Sequence, residues 1–344
     1  MSAEDIASVL QEKKRFVLCP HYNPDGDAVG SVLAMADILD HLGKETLCFF
    51  EAPVPVIYRF LPGSGRAVSD IATVRTFLKA AGEEGAILTL DCGDAGRVGK
   101  HRETLLSWHP VLVVDHHHSN PGFGDVNWVD GDAAATGEMV FTLARMLNAP
   151  LSREAASCLY AAISTDTGSF HYAATGSHTF RVAADLVEAG ADPAELANQL
   201  YNNYTLGRLR LLREVLSTLE MHDRDRIAVI RVSRAMRDRT FTTLEDIEHF
   251  VNYPRSIHSV RVAVFLKETE PGRISVSLRA KGGCDVSRIA LHFGGGGHKN
   301  ASGCTFRNLD MDEVRDALLP LIRAGIKART EEREKKRAAE ALEA

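Results

Sequence analysis

Six residues from four short stretches of this 344-residue chain share one chemistry. His21, Asp25 and Asp27 lie in His-Tyr-Asn-Pro-Asp-Gly-Asp, Asp91 opens Asp-Cys-Gly-Asp, His116 sits in Asp-His-His-His, and Asp166 lies in Ser-Thr-Asp-Thr-Gly-Ser-Phe. Four carboxylates and two imidazoles, with no thiolate, form an oxygen and nitrogen donor set that favours manganese, with cobalt, magnesium or zinc as alternatives. One divalent ion does not need so many anionic ligands, whereas two ions sharing a bridging carboxylate do. Such a pair suits phosphoryl chemistry: it activates a water, clamps the non-bridging phosphate oxygens and neutralises charge during in-line displacement. His117, beside an expected ligand, is placed to act as an acid or a phosphate contact.

His21 alone, or Asp25 and Asp27 alone, reads as a loop or capping residue. Asp115 reads as a carboxylate that orients a neighbouring imidazole, and Asp94 as a turn residue. His118 reads as solvated, because only two of three consecutive side chains on an extended backbone face one point.

The elements that must position these residues are legible from the apolar runs. Phe16–Pro20, Ala86–Leu90 and Val111–Val114 read as buried strands, and each runs directly into a polar cluster. A buried charge is costly unless paired or bound to metal, so three strands ending in this way point to a site along one sheet edge. Glu45–Phe50 reads as a further strand. Helices are expected over Ile6–Lys14, Ala28–Leu42, Val74–Ala81, Thr136–Leu147, Arg153–Ile163, His178–Ala189 and Pro193–Tyr201, with Asp166 in a loop of small residues over Ile163–Phe170. The alternation predicts an α/β fold with a doubly wound, mainly parallel N-terminal sheet.

A long helix over Leu206–Glu220 reads as a connector to a smaller α/β domain. There, Ile227–Val232, Val260–Leu266 and Ile274–Leu278 read as strands, the last two joined through Glu270-Pro271-Gly272. A helix over Val286–Phe293 leads into Gly294-Gly295-Gly296-Gly297-His298-Lys299, and Met311–Ile322 reads as the last packed helix. Consecutive glycines let backbone N–H groups converge on an anion, with His298 or Lys299 adding charge. Arg279, at a strand end, is a candidate guanidinium fork for phosphate. The expected organisation is a metal-binding domain over 1–196, a connector over 197–222, a second domain over 223–326 and a charged, solvent-exposed tail over 327–344.

Composition narrows the class. At 45% hydrophobic and 25% charged residues the chain can bury a sizeable core. A net charge of −6 does not suit a protein that coats duplex nucleic acid. Residues 251–308, however, carry nine Lys and Arg against three acids, which suits an anion-binding surface. The six cysteines are scattered without a Cys-x-x-Cys pair and read as reduced core thiols. With no basic-then-apolar leader and no apolar run near the roughly 18 residues of a membrane span, a cytoplasmic, soluble protein is expected, without a membrane partner.

Five motifs in this order resemble one family. His21-x-x-x-Asp25-x-Asp27-Ala28-x-Gly30-Ser31, Asp91-Cys-Gly-Asp94, Asp115-His116-His117 and Ser164-Thr-Asp166-Thr-Gly-Ser-Phe170 are similar to the four motifs of the DHH phosphoesterase superfamily. Phe293-Gly-Gly-Gly-Gly-His298-Lys-Asn-Ala-Ser-Gly303 resembles the signature of the DHH-associated C-terminal domain, and the overall pattern over about 16–322 is similar to the NrnA type. The resemblance implies two manganese ions, one held by His21, Asp25 and Asp91, the other by Asp27, Asp91, His116 and Asp166. Asp91 then bridges and His117 acts nearer the phosphate, which makes these two the catalytic residues. Arg279, Gly295, Gly296, Gly297 and His298 are implied to bind substrate, in a cleft between domains. The implied substrates are short oligoribonucleotides, dinucleotides such as pApA, and 3′-phosphoadenosine 5′-phosphate; a homodimer is also implied. A cyclic dinucleotide phosphodiesterase or a non-catalytic nucleotide sensor are the alternatives. His118 and the tail lie outside the resemblance.

Overall fold

The computed structural model describes residues 2–281 and 283–343, with the backbone alone for 298 and 328–343. The chain divides into two compact units, residues 1–203 and 204–344.

The first unit is built on five parallel strands, β1 (Arg15–Cys19), β2 (Glu45–Cys48), β3 (Gly85–Leu90), β4 (Val111–Asp115) and β5 (Val126–Val129), in the order β2-β1-β3-β4-β5. Their apolar runs feed two cores. Phe16, Leu18, Leu88, Leu112 and Val114 pack on one face, and Val17, Cys19, Ile87, Val111 and Val113 on the other. A parallel sheet covered on both faces requires continuous apolar runs of this kind. Because β1, β3 and β4 pair in parallel, their carboxyl ends open at one edge. β5 was not anticipated; its residues are only half-buried, and its register with β4 carries the chain past that edge.

One helix at the edge differs from expectation in a way that matters for the site. The helix Arg153–Asp166 runs one turn further than its expected end, so Asp166 is its last residue rather than part of a loop. The hydroxyls explain this: Thr165 Oγ1 donates to the Ala161 and Ala162 carbonyls at 3.0 and 2.9 Å, and Thr167 Oγ1 to Ile163 at 2.6 Å. Polar β-branched residues that bond back to the preceding turn are compatible with helix. This helix packs closely against Gly26–His41, where a Cβ on Gly30 would lie 2.4 Å from the Cys158 carbonyl oxygen.

In the second unit, β6 (Glu220–His222), β7 (Ile227–Val232), β8 (Val262–Glu270), β9 (Arg273–Ala280), β10 (Gly296–His298) and β11 (Ala301–Arg307) form a mixed sheet in the order β10-β11-β9-β8-β7-β6. One face packs on Val286, Ile289, Val314, Leu318 and Ile322 from the helices Val286–His292 and Met311–Glu343. The other face, over β7 and β8, packs on Leu211, Val215 and Phe250. The helix expected over 206–220 ends at Leu216, because the Thr218 hydroxyl accepts from the Arg231 backbone N–H at 2.9 Å and Glu220 enters the sheet. That helix, Leu206–Leu216, is therefore packed in the second unit, and the division falls between Asn203 and Tyr204.

The six cysteines are free and buried. Among the described residues no helix is long and apolar enough to cross a membrane.

Gly30→Ala should destabilise the first unit by about 1–3 kcal/mol, since its methyl meets backbone rather than a movable side chain. The thermal midpoint should fall by about 2–4 °C per kcal/mol. Gly65→Ala, whose Cβ meets nothing within 4 Å, is the control and should stay within about 0.5 kcal/mol.

Candidate metal centre and active site

The edge formed by β1, β3 and β4 gathers residues that are far apart in sequence. His21 follows β1, Asp91 follows β3 with φ 57°, and His116 and His117 follow β4. Asp25 caps the helix Gly26–His41, accepting from the Ala28 N–H at 3.2 Å, and Asp27 lies in its first turn. Asp166 ends the helix Arg153–Asp166. All six expected ligands are therefore brought together. His21 Nε2 lies 4.0 Å from Asp25 Oδ2 and 3.8 Å from Asp91 Oδ2. His116 Nε2 lies 3.5 Å from Asp91 Oδ1, 3.5 Å from Asp166 Oδ2 and 3.8 Å from Asp27 Oδ2.

These residues fit a pair of divalent ions. Two donors each about 2.1 Å from a common ion lie about 3–4 Å apart, which is the spacing seen here. Donor atoms of His21, Asp25 and Asp91 converge as one group, and those of Asp27, His116 and Asp166 as another. Both imidazoles are anchored through the opposite nitrogen, His21 Nδ1 at 2.7 Å from the Tyr22 carbonyl oxygen and His116 Nδ1 at 3.3 Å from that of Ala133. That bond places a proton on Nδ1 and aims Nε2 toward the carboxylates, the orientation metal-binding histidines require.

The electrostatics point the same way. Asp27 and Asp91 are 1% and 2% exposed, and Asp27 is held ionisable by the backbone N–H groups of Thr136 at 2.7 Å and Gly137 at 2.9 Å and by the Ser31 hydroxyl at 3.0 Å. Even so, burial and the neighbouring Asp91 push the Asp27 carboxyl well above its ordinary range. Burial also raises Asp166, to about 6, with Asp25 and Asp91 adding to the effect against the pull of His116. Burial disfavours the His116 imidazolium, but the Asp91, Asp166 and Asp27 carboxylates outweigh it and raise its pKa well above the usual value. Burial likewise opposes ionisation of Asp91, and the imidazoles of His116, His117 and His21 overcome it and hold the carboxyl low. This negative crowding is what a divalent cation relieves.

The remaining histidines separate as their positions suggest. His117 is buried and His118 exposed. His117 Nδ1 lies 2.8 Å from Asp115 Oδ1, and Asp115, fully buried, also accepts from the Asn120 amide at 2.7 Å. Asp115 thus orients its neighbour, and Asp94 caps a short turn by accepting from Gly96 and Arg97.

That turn carries a residue the sequence reading passed over. Arg97 Nη1 lies 3.2 Å from His117 Nε2. A guanidinium only donates, so Nε2 accepts and the imidazole proton sits on Nδ1, facing Asp115. Arg97 is thereby a cation at the rim of the carboxylate cluster, next to the histidine expected to meet phosphate. Its only sequence signal is its place in the turn that Asp94 caps. Thr136 was also missed: its hydroxyl lies 3.3 Å from Asp91 Oδ1.

In the second unit, Arg279 stands on β9 and Gly296 and Gly297 form β10. A Cβ on Gly295 would lie 2.1 Å from the Gly303 carbonyl oxygen, and Gly297 has φ 130° with the Ala301 carbonyl oxygen 2.6 Å from a Cβ. Close strand approach therefore requires glycine at these two positions whether or not the segment also meets an anion. The His298 side chain lies outside the described residues.

Residues 15–163 match the model of the DHH family, N-terminal domain, and residues 226–328 match that of the DHHA1 domain. The bifunctional oligoribonuclease and PAP phosphatase NrnA of Thermus thermophilus is 34% identical over 308 residues, 89% of this chain and 88% of its own length. The protein of the same name from Bacillus subtilis is 26% identical over 86% of this chain and 90% of its own. Among solved structures, an exopolyphosphatase-related protein from Bacteroides fragilis shares the fold with a TM-score of 0.87 at 27% identity, covering 95% of this chain and 97% of its own. On the sequence identity and the matched domains together, this chain belongs to the DHH family, in its NrnA-type branch.

Proposed function

We propose that this phosphoester hydrolase uses manganese to release 5′-mononucleotides from short oligoribonucleotides, pApA included, and to remove the 3′-phosphate of 3′-phosphoadenosine 5′-phosphate. The observation that carries the reading is the convergence of His21, Asp25, Asp27, Asp91, His116 and Asp166 at one sheet edge. The two substrate classes are those in the names of the relatives from Thermus thermophilus and Bacillus subtilis.

In this reading His21, Asp25 and Asp91 hold one ion, and Asp27, Asp91, His116 and Asp166 the other. Bound there, the ions supply Lewis acidity toward the phosphate oxygens and an activated water. The chain's own residues do the rest. Thr136, Gly137 and Ser31 fix the Asp27 carboxylate, so its oxygens need no rearrangement when an ion arrives. Asp115 holds His117 in one tautomer and orientation. Arg97 offers guanidinium N–H groups to a non-bridging oxygen, and a phosphate docked there takes over donors now shared with His117 Nε2. Arg279 and the Gly295–Gly297 stretch bind the part of the substrate away from the scissile phosphate.

Chelation should abolish hydrolysis of pApA and phosphoadenosine phosphate, and added manganese should restore it more fully than magnesium; activity that survives exhaustive chelation would remove the metal from the reaction. Asp91→Ala should reduce turnover to background, the largest loss among single ligand changes, because it removes a donor from both ions. Arg97→Ala should lower kcat/KM about a hundredfold, as loss of one donor to a developing charge does, while unchanged kinetics would place Arg97 outside the site. Arg279→Ala should mainly raise KM. Parallel turnover of pApA, phosphoadenosine phosphate and cyclic di-AMP tests the substrate class; faster opening of the cyclic compound would replace this reading with that of a cyclic dinucleotide phosphodiesterase.

A further inference from the structure

The helix that closes on Asp27 carries a buried carboxylate to which the preceding mechanism gives no part. Glu138 is the third residue of the helix Thr136–Met146 and is 4% exposed. Its Oε2 accepts from the Ala134 backbone N–H at 3.1 Å, and its Oε1 is buried without a hydrogen-bond partner among the described residues. A glutamate at this position ordinarily caps its own helix by reaching the N–H of the residue just before the first turn. Here that residue is Ala135, and the carboxylate passes it to bond one residue further back.

The peptide that Glu138 grips has a second partner on its other side. The Ala133 carbonyl and the Ala134 N–H belong to one planar unit, so the group donating to Glu138 is rigidly joined to the oxygen 3.3 Å from His116 Nδ1. The residues that follow reach the same cluster. The Thr136 and Gly137 N–H groups close on Asp27 at 2.7 and 2.9 Å, and the Thr136 hydroxyl lies 3.3 Å from Asp91 Oδ1. Residues 133–137 therefore touch His116, Asp27 and Asp91, three of the four ligands of one proposed ion, and Glu138 ties the front of that segment back to the helix. A carboxylate with one oxygen unpaired in the interior costs free energy that an apolar side chain of similar size would not. Helix stability gives no reason for such a residue, whereas the geometry of the metal edge does.

We propose that Glu138 is a positioning residue: through the peptide between Ala133 and Ala134 it holds the His116 imidazole, and with it the segment that grips Asp27, in the geometry that one of the two divalent ions requires. A carboxylate commonly orients a metal-binding histidine by accepting its second N–H directly. Here a peptide stands between the two, and a peptide hydrogen-bonded at both ends is polarised so that each bond strengthens the other. Glu138 itself bonds none of the six ligands among the described residues, so its contribution lies in reach rather than in charge. The proposal rests on the reading of the sheet edge as a two-ion site, and adds what sets the affinity of one ion.

The test measures manganese binding to the full-length protein by calorimetry and by electron paramagnetic resonance, which separates a coupled manganese pair from a single ion. Two variants divide reach from charge. Glu138→Gln keeps an acceptor at the same distance and loses the charge, while Glu138→Asp keeps the charge and falls one methylene short of the Ala134 N–H. Wild type and Glu138→Gln should bind two ions and give the coupled-pair spectrum. Glu138→Asp should weaken one ion by about ten- to a hundredfold, as loss of a group that orients a metal ligand does, and leave the other near its wild-type affinity. Its spectrum should be that of a single ion at manganese concentrations that saturate the wild type. Glu138→Met, of similar volume and with no strong acceptor, should show the same loss and serves where Glu138→Asp fails to fold, folding being followed by the thermal midpoint in chelator. A folded Glu138→Asp or Glu138→Met that binds both ions as wild type does overturns the proposal. So does a loss in Glu138→Gln equal to that in Glu138→Asp, which assigns the effect to charge. Wild type that binds no pair of ions overturns the two-ion reading itself, and the proposal with it.

Discussion

Four carboxylates crowd one end of the first sheet, and the rest of the first unit is arranged around tolerating that crowding. Asp27 and Asp91 are almost wholly buried, and no lysine or arginine forms an ion pair with them among the described residues. Charges of one sign held this closely, away from water, oppose folding unless partners are provided. Three kinds of partner are present. Imidazoles lie against Asp91, backbone N–H groups at the start of the helix Thr136–Met146 close on Asp27, and the Ala28 N–H caps onto Asp25. These compensate only in part, as the raised pKa values of Asp27 and Asp166 make plain. The balance is left for divalent cations.

That constraint explains why the surrounding helices pack so tightly. Asp25 and Asp27 ride on the start of the helix Gly26–His41, and Asp166 on the end of the helix Arg153–Asp166. The two helices touch at Gly30, where the Cys158 carbonyl occupies the space of a side chain. A displacement there moves Asp25 and Asp27 relative to Asp166, and a site built from fixed dipoles loses its preorganisation with small displacements. The glycine in the Asp-x-x-Gly-Ser stretch is thus part of the geometry of the site although it offers no ligand.

The residues readable in the sequence were those whose chemistry is local. His21, Asp91, His116 and His117 each follow a short apolar run, and a parallel sheet necessarily places such ends together, so both the edge and its ligands could be inferred. The pattern failed where a partner comes from elsewhere. Arg97 gains meaning only because the turn after β3 lies beside the histidines after β4, a proximity set by strand order. Ser-Thr-Asp-Thr looked like a loop because these residues favour turns; their hydroxyls instead bond back along the helix. The strand Gly296–His298 was hidden by glycines, whose low strand propensity is overridden by pairing with β11.

The two units also hold their charge in opposite senses, and this bears on how a nucleotide is recognised. A phosphate approaching the carboxylates of the first unit is repelled until cations are bound, so there the ions determine the sign of the interaction as well as the chemistry. Residues 251–308 of the second unit, with nine Lys and Arg against three acids, carry the opposite sign and favour an anion with no cation bound. Attraction of an anion by that stretch and activation of a phosphate at the carboxylate edge therefore depend on different conditions, the second on bound cations and the first not.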